Sequence, residues 1–170
     1  MAAAGVKGQL RGLPPVVATN ARVLILGSFP SEASLRARQY YAHPRNHFWP
    51  LLGAVLDEPL AALAYAARLA RLKARGVAVW DTIVACTRAG SLDTAIRDAQ
   101  RGEVTRIAQQ APDLRAVAFN GQTALRAEPA WRAAGYATLA LPSSSPAYTR
   151  PFAEKLAAWH ALGSFLDPPA

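Results

Sequence analysis

Apolar residues in this chain fall into short unbroken runs, separated by longer stretches in which they recur at helical spacing. Val23-Leu24-Ile25-Leu26 is the first run, and with Arg22 it predicts a strand buried on both faces. Residues 77–81, 116–119 and 136–141 predict three further strands of the same kind. The intervals carry helical patterning. Residues 31–36 allow one or two turns, and residues 47–56 form a helix with Asn46 as its N-cap and Pro50 early enough to be tolerated. Pro59 opens a helix to Arg75 with an apolar stripe at Leu60, Leu63, Ala67 and Leu69, and Gly76 ends it. Residues 82–92 read as a polar loop. Residues 93–111 hold helical patterning broken near Gly102 and closed by Pro112, a short helix follows Asn120-Gly121 to Arg126, and a last helix covers 151–165.

Strands alternating with helices predict a parallel sheet covered on both faces. The expected architecture is α/β, a single-domain three-layer α/β/α sandwich around a central, mostly parallel four-stranded sheet. Residues 1–20 read as a flexible lead-in and 21–166 as the domain, with no internal repeat. This topology already locates a pocket. The segments 27–46, 81–91, 120–121 and 142–149 each follow a strand, so they gather at the carboxyl edge, where open α/β folds bind ligands.

Composition narrows the setting. A chain of 170 residues can bury a full core without staples, and its single cysteine, Cys86, excludes an internal disulfide and fits a reducing, cytoplasmic environment. No signal peptide or membrane span is visible. Nineteen basic residues against eleven acidic give a formal charge of +8, the footprint of a protein that meets polyanions.

The candidate chemistry lies in the strand-following loops. Tyr40-Tyr41-Ala42-His43-Pro44-Arg45-Asn46-His47-Phe48-Trp49 packs four large rings into ten positions, more than a solvated connector needs. Either the loop folds onto the core or it receives a flat ligand. His43 and His47 have no third ligand to complete a metal set, the triple serine 143–145 has no nucleophile elbow, and Gly27-Ser28-Phe29-Pro30 is a poor phosphate cradle. What remains is amides, hydroxyls, aromatics and basic residues. An Asn side chain places a donor beside an acceptor, matching a nucleobase edge, and an aromatic ring offers that base a stacking face, which suits a base taken out of the helix.

Five segments carry a family resemblance: Gly27-Ser28-Phe29-Pro30-Ser31, the run from Tyr41 to Trp49, Trp80-Asp81 with Gly90-Ser91-Leu92-Asp93, Phe119-Asn120-Gly121, and Ser143-Ser144-Ser145-Pro146-Ala147. Over roughly residues 20–160 the chain resembles the uracil-DNA glycosylase superfamily, and within it the hypoxanthine-DNA (deoxyinosine) glycosylase branch. The resemblance implies a monofunctional, monomeric glycosylase without metal or cofactor, acting on DNA that contains deaminated bases and leaving an abasic site. The resemblance also implies hypoxanthine as the preferred base, with uracil or xanthine as candidate further substrates.

By the same resemblance Asn46 takes the catalytic part, and Phe48, Asn120, Gly27, Ser28 and Phe29 bind the base. Pro30, Ser31, His43, Arg45, Ser143, Ser144, Ser145, Pro146, Ala147 and Tyr148 meet the DNA, with Ala147 or Tyr148 at the wedge. Phe29 stands where most of the superfamily has an Asp or Asn, a departure typical of the hypoxanthine branch. The aromatic loop also resembles mismatch uracil or thymine glycosylases, and a non-catalytic nucleic-acid-binding relative is the reading from another class.

Overall fold

In a computed structural model that describes residues 8–167, the apolar runs become the middle of the molecule. In chain order the elements are β1 (Leu10–Arg11), β2 (Val23–Gly27), α1 (Glu32–Ala37), α2 (Phe48–Leu56), α3 (Tyr65–Ala74), β3 (Val77–Asp81), β4 (Ile83–Thr87), β5 (Arg97–Arg101), α4 (Val104–Gln110), β6 (Ala116–Asn120), α5 (Gln122–Leu125), α6 (Glu128–Ala133), β7 (Ala137–Leu141) and α7 (Phe152–Trp159). Strands β3, β2, β6 and β7, in that order, form a parallel four-stranded sheet. The expected α/β sandwich is the observed one.

Alternate side chains of the sheet feed two cores, as a period-two strand buried on both faces must. Val23, Ile25, Val77, Val79 and Ala118 join Phe48, Leu52, Leu72 and Trp159 from α2, α3 and α7. Leu24, Leu26, Ala78, Trp80, Val117 and Phe119 join Ile107, Ala124 and Trp131 from α4, α5 and α6. These buried faces hold the carboxyl ends of the strands in fixed register. No described helix is long and apolar enough to cross a membrane.

Several expectations need correction. Residues 82–92, read as a loop, contain β4, and the stretch read as helical from 93 begins with a single 3-10 turn at Asp93–Ala95 and continues as β5. Together with β1 they make a second, antiparallel sheet of order β1, β4, β5. Every residue of β5 is exposed, so no apolar alternation marks it; backbone pairing to β4 holds it instead. The lead-in is likewise tied down within its described part: Leu10 pairs with Cys86, Val16 bridges Val79, and the Tyr40 hydroxyl donates to the carbonyl of Pro14 at 2.9 Å. Residues 1–7 of that lead-in lie outside the described residues. The helix expected over 59–75 is a 3-10 turn at Leu60–Ala62 followed by α3, and the last helix turns 3-10 from His160 to Phe165. Helix α6 was not expected.

Gly53 shows how tightly α2 is seated. A Cβ added there would stand 2.7 Å from the carbonyl oxygen of Glu58. Alanine would gain at most about 1 kcal/mol in helix propensity, whereas displacing packed backbone costs roughly 1–3 kcal/mol. Gly53→Ala is therefore expected to lower stability, read as a reduced urea midpoint at unchanged slope; a raised midpoint would show that the turn after α2 yields freely.

Candidate functional site

The site is assembled from the last residues of three neighbouring strands. Gly27 pairs directly with Asp81, and Asn120 follows Phe119, which pairs with Leu26 on the other side. Strand pleating puts Asp81, Gly27 and Asn120 on the sheet face that carries Val23 and Ile25, with the backbones of the two outer residues about 10 Å apart, two strand spacings. Gly27 has no side chain between them: a Cβ there would meet Asp81 Oδ1 at 2.5 Å and the Tyr41 hydroxyl at 2.8 Å. Above this row lies a cavity of about 300 Å³, lined from all four strand-following segments.

Asn120 holds the far wall. Its Nδ2 donates to Ser144 Oγ at 2.9 Å and to the Tyr41 hydroxyl at 3.2 Å, while its Oδ1 accepts from the Ser144 amide at 2.9 Å. Both amide hydrogens are thus spent within the protein, and one Oδ1 lone pair remains. The serine loop is gripped from other sides as well. Ser144 carbonyl oxygen accepts from the His47 amide at 2.9 Å, Pro142 from the Trp159 indole at 2.9 Å, and Ser145 from the Lys155 ammonium at 3.3 Å.

Asn46 lines the cavity, and its Oδ1 accepts the Phe48 amide at 2.9 Å. It therefore serves helix α2 and the cavity at once, and the helix fixes which end of the amide is oxygen. The wall formed by Gly27, Ser28, Phe29, Pro30 and Ser31 is pinned from the opposite loop. Ser28 Oγ donates to Asp93 Oδ1 at 2.7 Å, Arg88 donates to the Pro30 carbonyl at 2.7 Å and stands 5.1 Å over the Phe29 ring, and the Glu32 amide donates to Ser91 Oγ at 3.0 Å. Ser31 caps α1 through Ser34.

Twelve of the residues nominated from sequence line this cavity: the Gly27 to Ser31 run, Asn46, Asn120, the three serines, Ala147 and Tyr148. Four do not. Phe48 is fully buried, its ring stacked beneath that of Tyr41 at 3.8 Å, so the expectation of Phe48 as the ring that meets a base is corrected. Tyr41 lines the cavity, as do the rings of Phe29, Tyr40 and Tyr148, and Phe48 backs Tyr41. His43, Arg45 and Pro146 lie outside the lining, with Arg45 and Pro146 exposed.

Sequence reasoning gave no role to Asp81, Asp93 or Tyr41, all of which line the cavity. The available signal for Asp81 was a carboxylate ending an otherwise apolar buried strand. Asp81 is buried, and its Oδ2 has no hydrogen-bond partner among the described residues. Burial first, then the charge of Asp93, push its carboxyl up to about 7, against the opposing pull of Arg88. Burial likewise holds the Tyr40 and Tyr41 phenols far above their ordinary range, so both stay protonated. His47 is lowered by burial and by the Lys155 ammonium. No group of three or more His, Cys, Asp or Glu among the described residues is placed to hold a metal.

The mouth has its own character. Leu92 and Tyr148, both lining residues, are the exposed large hydrophobics of the described chain, at 59% and 39% exposure. Tyr148 lies beneath two cations, Arg150 at 5.4 Å and Lys155 at 5.5 Å from its ring.

Fold and site together define a three-layer α/β domain with an amide- and hydroxyl-rich cavity at the carboxyl edge of its parallel sheet. Residues 14–163 match the Uracil DNA glycosylase superfamily, and the chain belongs to that superfamily. It is 41% identical over 149 residues to the hypoxanthine DNA glycosylase of Methanosarcina barkeri, covering 88% of this chain and 94% of that one. It is 40% identical over 152 residues to the hypoxanthine DNA glycosylase of Methanosarcina acetivorans, covering 89% and 96%. A solution NMR structure of a Methanosarcina acetivorans protein superposes with a TM-score of 0.84 at 39% identity, covering 91% of this chain and 96% of that one.

The raised Asp81 carboxyl has a measurable consequence for stability. Its folded value near 7 lies above the ordinary 3.8, so folding favours the protonated form; that contribution is complete below about pH 4 and lost as pH rises through 7. Asp81→Asn carries no such dependence. Unfolding free energies of the two proteins, compared at pH 4 and pH 8, should shift in favour of the variant by up to about 4 kcal/mol. A pH-independent difference would mean that Asp81 titrates normally.

Proposed function

We propose that this protein is a monofunctional DNA glycosylase that accepts an extruded deaminated base, hypoxanthine before uracil or xanthine, and hydrolyses its N-glycosidic bond to leave an abasic site. The observation that carries this reading is the meeting of Asn46, Asn120 and Asp81 in one cavity of about 300 Å³, the small end of the range for ligand sites and suited to a single base. Similarity to two hypoxanthine DNA glycosylases at about 40% identity, over nearly their whole length, supports the choice of base.

The roles follow from the chemistry. Cleavage passes through a sugar with oxocarbenium character, so a site gains rate by holding the departing base and placing water below the sugar. An amide has no basic form at neutral pH, so Asn46 orients that water rather than deprotonating it. Its Oδ1 gives one lone pair to the Phe48 amide and keeps the other for the water. Asn120 holds the serine loop against the base and offers its remaining lone pair. Gly27, Ser28 and Phe29 floor the pocket, and Tyr41, stiffened by Phe48, supplies the ring.

At the rim of the cavity, Pro30, Ser31 and the serine loop face the strand that carries the base, while His43 and Arg45, outside the lining, meet phosphate. Tyr148, with Leu92 across the mouth, fills the gap left in the duplex. Extrusion costs a few kcal/mol, least at a mispair, which favours deaminated bases over their parents.

The test is incubation with duplexes holding hypoxanthine, uracil or xanthine opposite each normal base, followed by alkaline cleavage of abasic sites. Breaks at hypoxanthine first are expected. Breaks at uracil alone would identify a mismatch uracil glycosylase, and binding without breaks a non-catalytic module.

Asn46→Ala should lose at least about a hundredfold in excision rate while binding the same duplex with unchanged affinity. The cap expected at Asn46 falls on His47, which makes no side-chain cap bond, and Asn46 holds the Phe48 amide from one residue earlier. Losing that bond also costs about 1 kcal/mol, so urea unfolding is run alongside to confirm that the variant is folded at the assay temperature. Equal rates in variant and wild type would remove Asn46 from the mechanism. DNA affinity should fall steeply with salt, with a log-log slope of several units as Lys and Arg displace counterions. A flat plot would contradict a phosphate-tracking surface.

A further inference from the structure

We infer that Asp81 is the general acid of the reaction, delivering its carboxyl proton to the purine as the base departs; this rests on the glycosylase reading given above. The geometry comes first. Asp81 stands at the end of β3 beside Gly27 and lines the base cavity, its Oδ1 reaching over Gly27 to within 2.5 Å of where a Cβ would stand. It is buried, yet its Oδ2 has no hydrogen-bond partner among the described residues. A buried carboxyl without a partner costs stability, and an apolar residue would complete this otherwise apolar strand at no such cost. The missing side chain of Gly27 is what leaves room for that carboxyl at the floor of the cavity.

The titratable residues lining the cavity are Tyr40, Tyr41, Asp81, Asp93 and Tyr148. Tyr40 and Tyr41 are phenols held far above neutrality, Tyr148 is at the mouth, and Asp93 is exposed and engaged by Ser28. Asn46 and Asn120, the amides of the site, have no proton to give. Asp81 alone combines burial, access to the base and a proton exchangeable near pH 7. The charged and titratable groups around it are Asp93 and Arg88 from the loop after β4, and Tyr40 and Tyr41 from the loop after α1. Asp93 favours the protonated form and Arg88 opposes it. Phosphates of bound DNA and the exclusion of water by a seated base both add to the side of Asp93.

The step balances without a further reactant. The C1′–N9 bond breaks with its electron pair passing to the purine, and the Asp81 proton moves to a ring nitrogen of that purine, which leaves neutral. Water oxygen bonds to C1′ and releases one proton to solvent, and the Asp81 carboxylate takes one back. Purine departure gains from this because hypoxanthine leaving as an anion is the harder event.

Single-turnover excision of hypoxanthine from a duplex, measured from pH 5.5 to 9 with wild type, Asp81→Asn and Asp93→Asn, tests the inference. The wild-type rate should fall about tenfold per pH unit above a break at or above pH 7. Asp81→Asn should be slower by a hundredfold or more at pH 6, with no such break, and with DNA affinity unchanged. Asp93→Asn, an exposed substitution, should move the break to lower pH by removing a charge that favours the protonated carboxyl, a readout that does not depend on the Asp81 variant folding. A wild-type rate that is flat or rises with pH, or an Asp81→Asn variant that keeps the rate or the break, would overturn the role of Asp81 and leave the glycosylase reading standing. Absence of excision by wild type at every pH would remove that reading and this inference together.

Discussion

The double hydrogen bond between the Asn120 amide and Ser144 is the clasp on which the site depends. It joins the end of a buried strand to a loop that has no secondary structure of its own. Made in a protected environment, and involving both ends of one amide, it fixes the loop in rotation as well as in distance. From Ser144 the order spreads to the His47 amide, hence to the first turn of α2 and to Asn46. From Asn120 it spreads to the Tyr41 hydroxyl, hence to the aromatic loop. Remove the clasp, and two walls of the cavity lose their common reference.

The other constraint is the row Asp81, Gly27, Asn120. Parallel pairing dictates that the last residues of neighbouring strands share a face, so two polar groups are delivered to opposite sides of a bare backbone position by register alone. Precision at the cavity is therefore inherited from the apolar pairs beneath it, Ile25 with Val79 and Ala118. The loops only close the box. Arg88 does this on one side by bridging its own turn and the Pro30 carbonyl, Trp159 and Lys155 on the other.

Much of this was legible in the residues. The unbroken apolar runs announced the parallel sheet, and the sheet announced that the segments following its strands would converge, which is where twelve nominated residues now line a single cavity. What escaped were features without an amphipathic signature. β5, Arg-Asp-Ala-Gln-Arg, is exposed throughout and exists because β4 offers it a ladder, something no local pattern records. β1 is two residues long and depends on the same partner. Phe48 was misplaced because an aromatic at the start of a helix can face either way; only the stacking of Tyr41 upon it decides which ring is inside. Asp81 was read as a motif letter, since its isolation from any donor is a property of three dimensions.

Asn46 is held to a double duty that limits how its position can drift. Because Asn46 lines the cavity while its oxygen holds the first amide of the helix, any substitute must still accept the Phe48 amide. Aspartate, serine and threonine keep that ability and other side chains do not. The alphabet open to evolution at this position is thus short for architectural reasons, and chemistry at the cavity can vary here only within the set that the helix accepts.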